Sequence, residues 1–248
     1  MIETIPPLSF ALDSDEMVNI RRAGREYRLV YVSIPVLLDQ CLTRTIGNAF
    51  RTSPPLAFKR RDFAEPFLNE EEMASLNGFK ALKKQVEWMS GRYAAKLLAK
   101  RCLAAQPPLE RTQVDYRKKG APFFTEAPSL SLSISHAGDY AVAGIGLRPS
   151  LGLGLDLEVI RPESRATLLQ TAFSPREIKA LENQDDEAFF RHWTAKEAYL
   201  KYIGLGFHES LKRIEILEGA IFHDGHPVPS LSLFSHHPFP GYAFSMVS

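Results

Sequence analysis

Cysteine is almost missing from this 248-residue chain. Cys41 and Cys102 lie too far apart for a CxxC redox pair or a zinc ribbon, and two are too few for a secreted disulfide scaffold. Cys102 falls in an apolar helical run and reads as a buried small hydrophobe. No window approaches 18 consecutive apolar residues, so no membrane span is expected. The opening MIETIPPLSF carries an acid and two prolines where a secretory leader would have a basic start and an apolar core, so no signal peptide is expected. An excess of either charge is missing too: 30 Lys and Arg against 29 Asp and Glu leave +1, which gives no tail for nucleic acid. Repeats and low-complexity tracts are not visible. What is present, 45% hydrophobic and 24% charged residues, is enough for a core without staples. The expectation is a soluble, cytoplasmic, monomeric protein of one large or two small domains.

The pattern along the chain mixes strands and helices without strict βαβ alternation, which predicts an α+β fold. Residues 1–27 show no period. Leu29 to Val36 reads as a strand ended by Pro35, and residues 51–68, with three prolines and Lys59-Arg60-Arg61, as a loop. Asn69 before three glutamates is a helix start. A long helix follows from about Phe79 to Ala105, with Leu82, Val86, Met89, Tyr93 and Leu97 as its buried stripe and Lys80, Lys83, Lys84, Arg92 and Lys96 on the rest. Leu130, Leu132 and Ile134 alternate with serines as in a half-buried strand, and Tyr140–Leu147 and Leu151–Ile160 read as two more around Arg148-Pro149-Ser150. Helices are predicted near Arg165–Ala172, from Ser174 to Glu182, and from about Asp185 to Ile203 with Gly204 closing the last. Short strands are expected at Arg213–Leu217, Leu231–Phe234 and Tyr242–Val247. His223, His226, His236 and His237 read as solvated loop histidines, with no cysteine nearby to suggest zinc.

Three groups of residues could carry chemistry. On the strand Gly154-Leu155-Asp156-Leu157-Glu158, residues two apart share a face, so the two carboxylates project together. Such a pair repels itself unless a cation intervenes, and an all-oxygen set suits magnesium or manganese; a solvated edge strand is the alternative. On the following long helix, Trp193, Glu197 and Lys201 fall on one stripe with Lys196 beside it. This is either a salt-bridged surface or a third carboxylate with lysines for phosphate oxygens. Ser135-His136-Ala137-Gly138-Asp139 ends the alternating strand. Neighbours on a strand face opposite ways and there is no GxSxG elbow, so a serine hydrolase is not supported; a histidine there donates to an anion or is simply structural.

In this order the pieces resemble the Sfp-type 4'-phosphopantetheinyl transferases of the holo-[acyl-carrier-protein] synthase superfamily. The motifs are Gly120-Ala121-Pro122 followed by Ser133-Ile134-Ser135-His136; Gly154 to Glu158; Phe173-Ser174-Pro175-Arg176-Glu177; and Trp193-Thr194-Ala195-Lys196-Glu197 with Lys201. The likeness covers about residues 80 to 210. It implies two similar α+β halves, 1–150 contacting the coenzyme A nucleotide and 151–248 carrying the metal and catalytic motifs, with the active site in the cleft between them.

It also implies roles. Asp156, Glu158 and Glu197 would hold Mg²⁺, and Lys196 and Lys201 would neutralise phosphate oxygens. Ser135 and His136 would face a phosphate of coenzyme A, Arg92 the phosphate on its ribose, and Gly120 to Pro122 the adenine. Glu177 matches a family acid of open role. The family often has lysine where Ala121 stands, with Lys118 and Lys119 just before it. The implied reaction moves phosphopantetheine from coenzyme A to a serine of an apo acyl or peptidyl carrier protein and releases 3',5'-ADP, with Glu197 the candidate base. Arg161 and Arg165 among Leu168 and Leu169 would meet an acidic carrier. A magnesium-dependent phosphohydrolase or phosphodiesterase, or a non-catalytic coenzyme A or carrier-binding module, would use the same residues.

Overall fold

A computed structural model describes residues 17–22, 24–41, 58–59, 63, 66–149, 151–206 and 209–248. The expectations for residues 1–16 and for most of the loop at 51–68 lie outside these. The described residues divide into two compact units, one holding Met17–Tyr116 together with Pro122–Leu151, the other Arg117–Ala121 with Gly152–Ser248. Helix and antiparallel sheet mix in both, an α+β construction.

In the first unit, β1 (Met17–Arg22) pairs with β2 (Arg25–Ser33). The strand β1 is a correction to the patternless reading of this stretch: Asn19 and Arg21 are exposed and Ile20 is buried, an alternation too short to stand out in the sequence. Pro35 does not end a strand. It sits in the first turn of α1 (Ile34–Cys41), where its missing N–H costs nothing, so β2 stops at Ser33. Asn69 caps α2 (Glu70–Gly78) as predicted, and α3 follows (Leu82–Cys102). The strands β3 (Val114–Tyr116) and β4 (Pro122–Phe124) form a two-stranded ribbon, while β5 (Leu132–Ala137) and β6 (Tyr140–Gly146) complete a sheet of order β1-β2-β6-β5. The helix α3 lies on β2, β5 and β6 through Val86, Met89, Leu97 and Leu98. Ser133 and Ser135 are buried along with Leu132, so β5 is covered on both faces, not half-exposed as its alternation suggested.

The second unit begins with β7 (Gly154–Val159), then α4 (Arg165–Ala172), α5 (Pro175–Leu181, capped by Ser174) and α6 (Asp186–Ile203), which Gly204 ends in the left-handed conformation at φ 67°. The strands β8 (Ile214–Leu217), β9 (Ala220–His223) and β10 (His226–Pro227) make one sheet, and β11 (Leu233–His236) and β12 (Tyr242–Val247) join β7 in another, order β11-β12-β7. The helix α6 packs on β7 and β12.

Three of the four C-terminal histidines are therefore on strands rather than in loops. His223 and His226 face each other across Asp224-Gly225, both at positive φ, a two-residue hairpin turn that the Asp-Gly pair specifies. His236 packs between the rings of Phe234 and Phe244, and burial, with a smaller push from His237, lowers its pKa to about 4. A histidine held neutral in the fold but titrating normally when unfolded makes the unfolded chain bind more protons between about pH 6.5 and 4. Its contribution is complete above pH 6.5 and is lost as the pH falls through that window, on the order of 2 kcal/mol. Urea midpoints measured from pH 7 to 4 should show this fall flattened in His236→Leu; an unchanged slope would dissociate it from His236.

Candidate functional site

The second unit holds the acidic constellation. A Cβ on Gly154 would lie 2.0 Å from the carbonyl oxygen of Ala198 and 2.3 Å from the amide of Tyr202, so the backbone of α6 rests directly on this strand. By the two-residue period, Asp156 and Glu158 share the Gly154 face and meet α6, while Leu155 and Leu157, both fully buried, point the other way. Asp156 Oδ1 accepts from Lys201 Nζ at 2.7 Å, and Glu158 accepts from the indole N–H of Trp193. Glu197 lies between those two helix positions, and its Oε1 is buried with no hydrogen-bond partner.

Negative charge exceeds positive here, and the acids register it. Burial first, then the charge of Asp156, raise Glu158 to a pKa of about 7, against Trp193 and Lys201; Glu197 contributes to the same rise. Burial and Asp156 likewise raise Glu197 to about 7, with Lys201 opposing. The three carboxylates form an oxygen-rich set, and with the orphaned Glu197 oxygen their donor chemistry is of the kind that suits a hard divalent cation. Among the described residues, however, no group of three acidic, histidine or cysteine side chains is arranged so that it could hold one metal ion. Lys201 and Trp193 engage Asp156 and Glu158 instead.

Lys196 departs from expectation. It does not reach toward solvent: its side chain is 0% exposed, and Nζ donates to Glu177 Oε2 and to the Ile214 carbonyl, both at 2.5 Å. Burial pulls its pKa down while Glu177 pulls it up. Glu177, the acid of open role, is itself held from several sides. Its Oε2 also takes the Ser174 amide and its Oε1 the Ile216 amide, both at 3.0 Å. Arg165 is a second departure from the expected docking surface, since its guanidinium is committed to Asp186 and to the carbonyls of Leu181 and Gln184.

In the first unit, His136 Nδ1 stands 3.8 Å from Glu87 Oε2, and Lys83 reaches the other oxygen of that carboxylate at 3.7 Å. The adjacent cavity, about 240 Å³, is lined by Ile34, Leu38, Leu82 and Val86 together with the charged Lys83, Glu87 and Asp139. Arg92 and Lys96 correct the reading of α3 as a solvated basic face. Lys96 is buried against Glu72, and burial lowers its pKa. Arg92 is 5% exposed, lies 4.7 Å from the rings of both Trp88 and Tyr116, and donates to the Val114 carbonyl at 2.6 Å. Tyr116 is 46% exposed. Pro122 pairs with Tyr116 across the ribbon, and Gly120 is at φ 91°.

Glu87 and Tyr116 were missed in the sequence, and Glu177 and Lys196 were named there but not paired. Glu87 was signalled by its i,i+4 spacing from Lys83, and the Glu177–Lys196 pairing by a capping-box acid followed by a lysine inside an apolar helix stretch. Nothing local marks Tyr116.

Residues 152–245 match the family model described as the 4'-phosphopantetheinyl transferase superfamily. The matched segment is less than half of the chain. It contains the acids, the lysines and Trp193. The chain is 32% identical over 158 residues to the 4'-phosphopantetheinyl transferase HetI of Nostoc, covering 60% of this chain and 64% of that one. It is 31% identical over 140 residues to the L-aminoadipate-semialdehyde dehydrogenase-phosphopantetheinyl transferase of Xenopus laevis, covering 49% and 46%. With the 4'-phosphopantetheinyl transferase psf-1 of Bacillus pumilus the identity is 28%, covering 62% and 66%. The chain spans less than two thirds of each of these relatives. A solved holo-(acyl-carrier-protein) synthase from Bacillus anthracis, in complex with CoA (3',5'-ADP), aligns at a TM-score of 0.35 and 19% identity over 50% of this chain and 96% of that one.

Proposed function

We propose that the protein transfers the 4'-phosphopantetheine of coenzyme A to a serine hydroxyl of an apo carrier protein, with release of 3',5'-ADP. The observation that carries this reading is the meeting of Asp156 and Glu158 from β7 with Glu197 and Lys201 from α6, inside the segment that the superfamily model matches. Phosphoryl-type transfer depends on positioning and charge neutralisation more than on covalent help. Although Lys201 and Trp193 engage two of them here, Asp156, Glu158 and Glu197 are the acids proposed to hold magnesium, which would neutralise the pyrophosphate of the donor. Lys201, 30% exposed, is the lysine placed to meet phosphate oxygens, and Glu197 is the base proposed to take the serine proton.

The donor's nucleotide end is assigned to the first unit, with His136 and Lys83 for a phosphate and the half-exposed Tyr116, paired with Pro122, for the base. Arg92, already stacked and bonded, would support Tyr116 from within. The division of labour between residues 1–150 and 151–248, and descent of the two units from one plan, are part of the same proposal. In its support, each unit has a short capped helix followed by a long helix lying on an antiparallel sheet. The carrier is proposed to dock on the groove lined by Leu169, Ile178 and Lys179, where Ile178 is 40% exposed.

Incubation with Mg²⁺, coenzyme A and an apo acyl carrier protein should add one phosphopantetheine to the carrier by mass spectrometry, and excess EDTA should stop it. An unmodified carrier with coenzyme A broken down by water would establish a phosphohydrolase instead. Full transfer in EDTA would remove the metal from the proposal.

A further inference from the structure

The same device occurs twice. In the first unit, the amide of Asn69 at the cap of α2 donates to Glu72 Oε2 at 3.1 Å, and that same oxygen receives Nζ of Lys96 from α3. In the second, the amide of Ser174 at the cap of α5 donates to Glu177 Oε2 at 3.0 Å, and that oxygen receives Nζ of Lys196 from α6. Both lysines are 0% exposed, and both acids are the third helical residue of a capping box. The residue after Lys96 is Leu97, a core side chain, where Glu197 follows Lys196. The device therefore exists where there is no acidic constellation for it to serve as a ligand group.

From this we infer that Lys196 is a positioning residue that holds Glu197 in place through Glu177, and that it does not touch the phosphates of the donor. The inference rests on the proposed transfer only in taking Glu197 as part of the site. The mechanical path is short. Lys196 ties α6 to Glu177 and to the Ile214 carbonyl, and Glu177 is bound in turn to the Ile216 amide, so the rotation of α6 is fixed against α5 and β8 at the residue next to Glu197. Removing only the lysine leaves a buried carboxylate without its counter-charge, the costly half of breaking such a pair. Replacing Glu177 by Gln as well removes that charge and keeps one of the two acceptor oxygens, so the Ser174 or the Ile216 amide loses its partner, a loss that Glu177→Gln alone also carries.

The full-length variants Lys196→Met, Glu177→Gln and the double Lys196→Met/Glu177→Gln form a cycle. It is read by melting midpoint, by calorimetric binding of coenzyme A, and by kcat and KM in transfer. The midpoint of Lys196→Met should fall by roughly 10 °C and the double should recover at least about half of that loss. In the double, kcat should return to within about threefold of Glu177→Gln, with KM and affinity for coenzyme A within about twofold of wild type. If Lys196→Met does not fold, the double is compared with Glu177→Gln alone. A double that regains stability but binds coenzyme A about tenfold more weakly would overturn the inference, because the lysine would then be touching the nucleotide. So would a double no more stable than Lys196→Met. The same cycle at Lys96 and Glu72 should give the same recovery in melting midpoint, and its absence there would undo the equivalence on which the inference stands. Should the wild type transfer nothing, the midpoints still decide the Lys196–Glu177 coupling, and the failure falls on the transfer proposal.

Discussion

Asp156→Ala is expected to lower transfer on the order of 10³-fold while the protein stays folded. Asp156 is the acid whose charge raises both Glu158 and Glu197, and it is the one that engages Lys201. Deleting it removes a proposed metal oxygen and the carboxylate that Lys201 donates to in one step. The stability should move the other way. Glu158 and Glu197 are raised in the fold from 4.5 to about 7, so the stability they favour is present at low pH and is lost as the pH rises through that interval. Without Asp156 the loss is smaller, and the variant should be more stable than wild type above pH 7, by about 1 kcal/mol. Mass-spectrometric turnover and chemical unfolding at pH 8 check the two halves of the statement. Wild-type turnover would remove Asp156 from the mechanism, and a destabilised variant would show that its charge is not the surplus described above.

Gly154→Ala is expected to damage the fold itself. A methyl group 2.0 Å from the Ala198 oxygen and 2.3 Å from the Tyr202 nitrogen meets backbone, which cannot swing aside as a side chain can. Either α6 lifts from β7 or the strand bends, at a cost of about 3 kcal/mol or more, which lowers the melting midpoint by roughly 10 °C. Because Asp156, Glu158, Glu197 and Lys201 are set by that same contact, transfer should fall even at temperatures where the variant is folded. Gly78→Ala is the comparison: its Cβ would meet nothing within 4 Å, and its midpoint should stay within about 2 °C of wild type. Equal midpoints for the two variants would show that the α6–β7 approach is looser than drawn.

The sequence announced elements well where local chemistry governs them. Asn69 and Ser174 are caps, Gly204 is a helix end, and the β7 acids share a face, all as side-chain period and capping rules require. It misled where burial is decided by distant partners. Lys96 and Lys196 read as solvent-facing because lysine usually is, and only the acids 24 and 19 residues earlier explain their burial. Ser133 and Ser135 read as an outer face because nothing in a strand's own pattern says whether its polar side is covered. Pro35 was ambiguous because proline serves both strand ends and helix starts, and the choice lay in residues after it. At the site, the residue types were legible from their spacing, but the partners now holding them, Trp193 at Glu158 and Glu177 at Lys196, come from tertiary packing.

The paired capping boxes also bear on how the chain comes apart. The helices α2 and α5 have nine and seven residues, lengths at which an isolated helix scarcely persists in water. Each is fastened at its first turn to the long helix of its own unit, so neither can fray from its start without first stripping a buried lysine of the carboxylate it donates to. These two small segments, which by size alone would be the earliest to open, are drawn into the same all-or-none transition as the elements they adjoin.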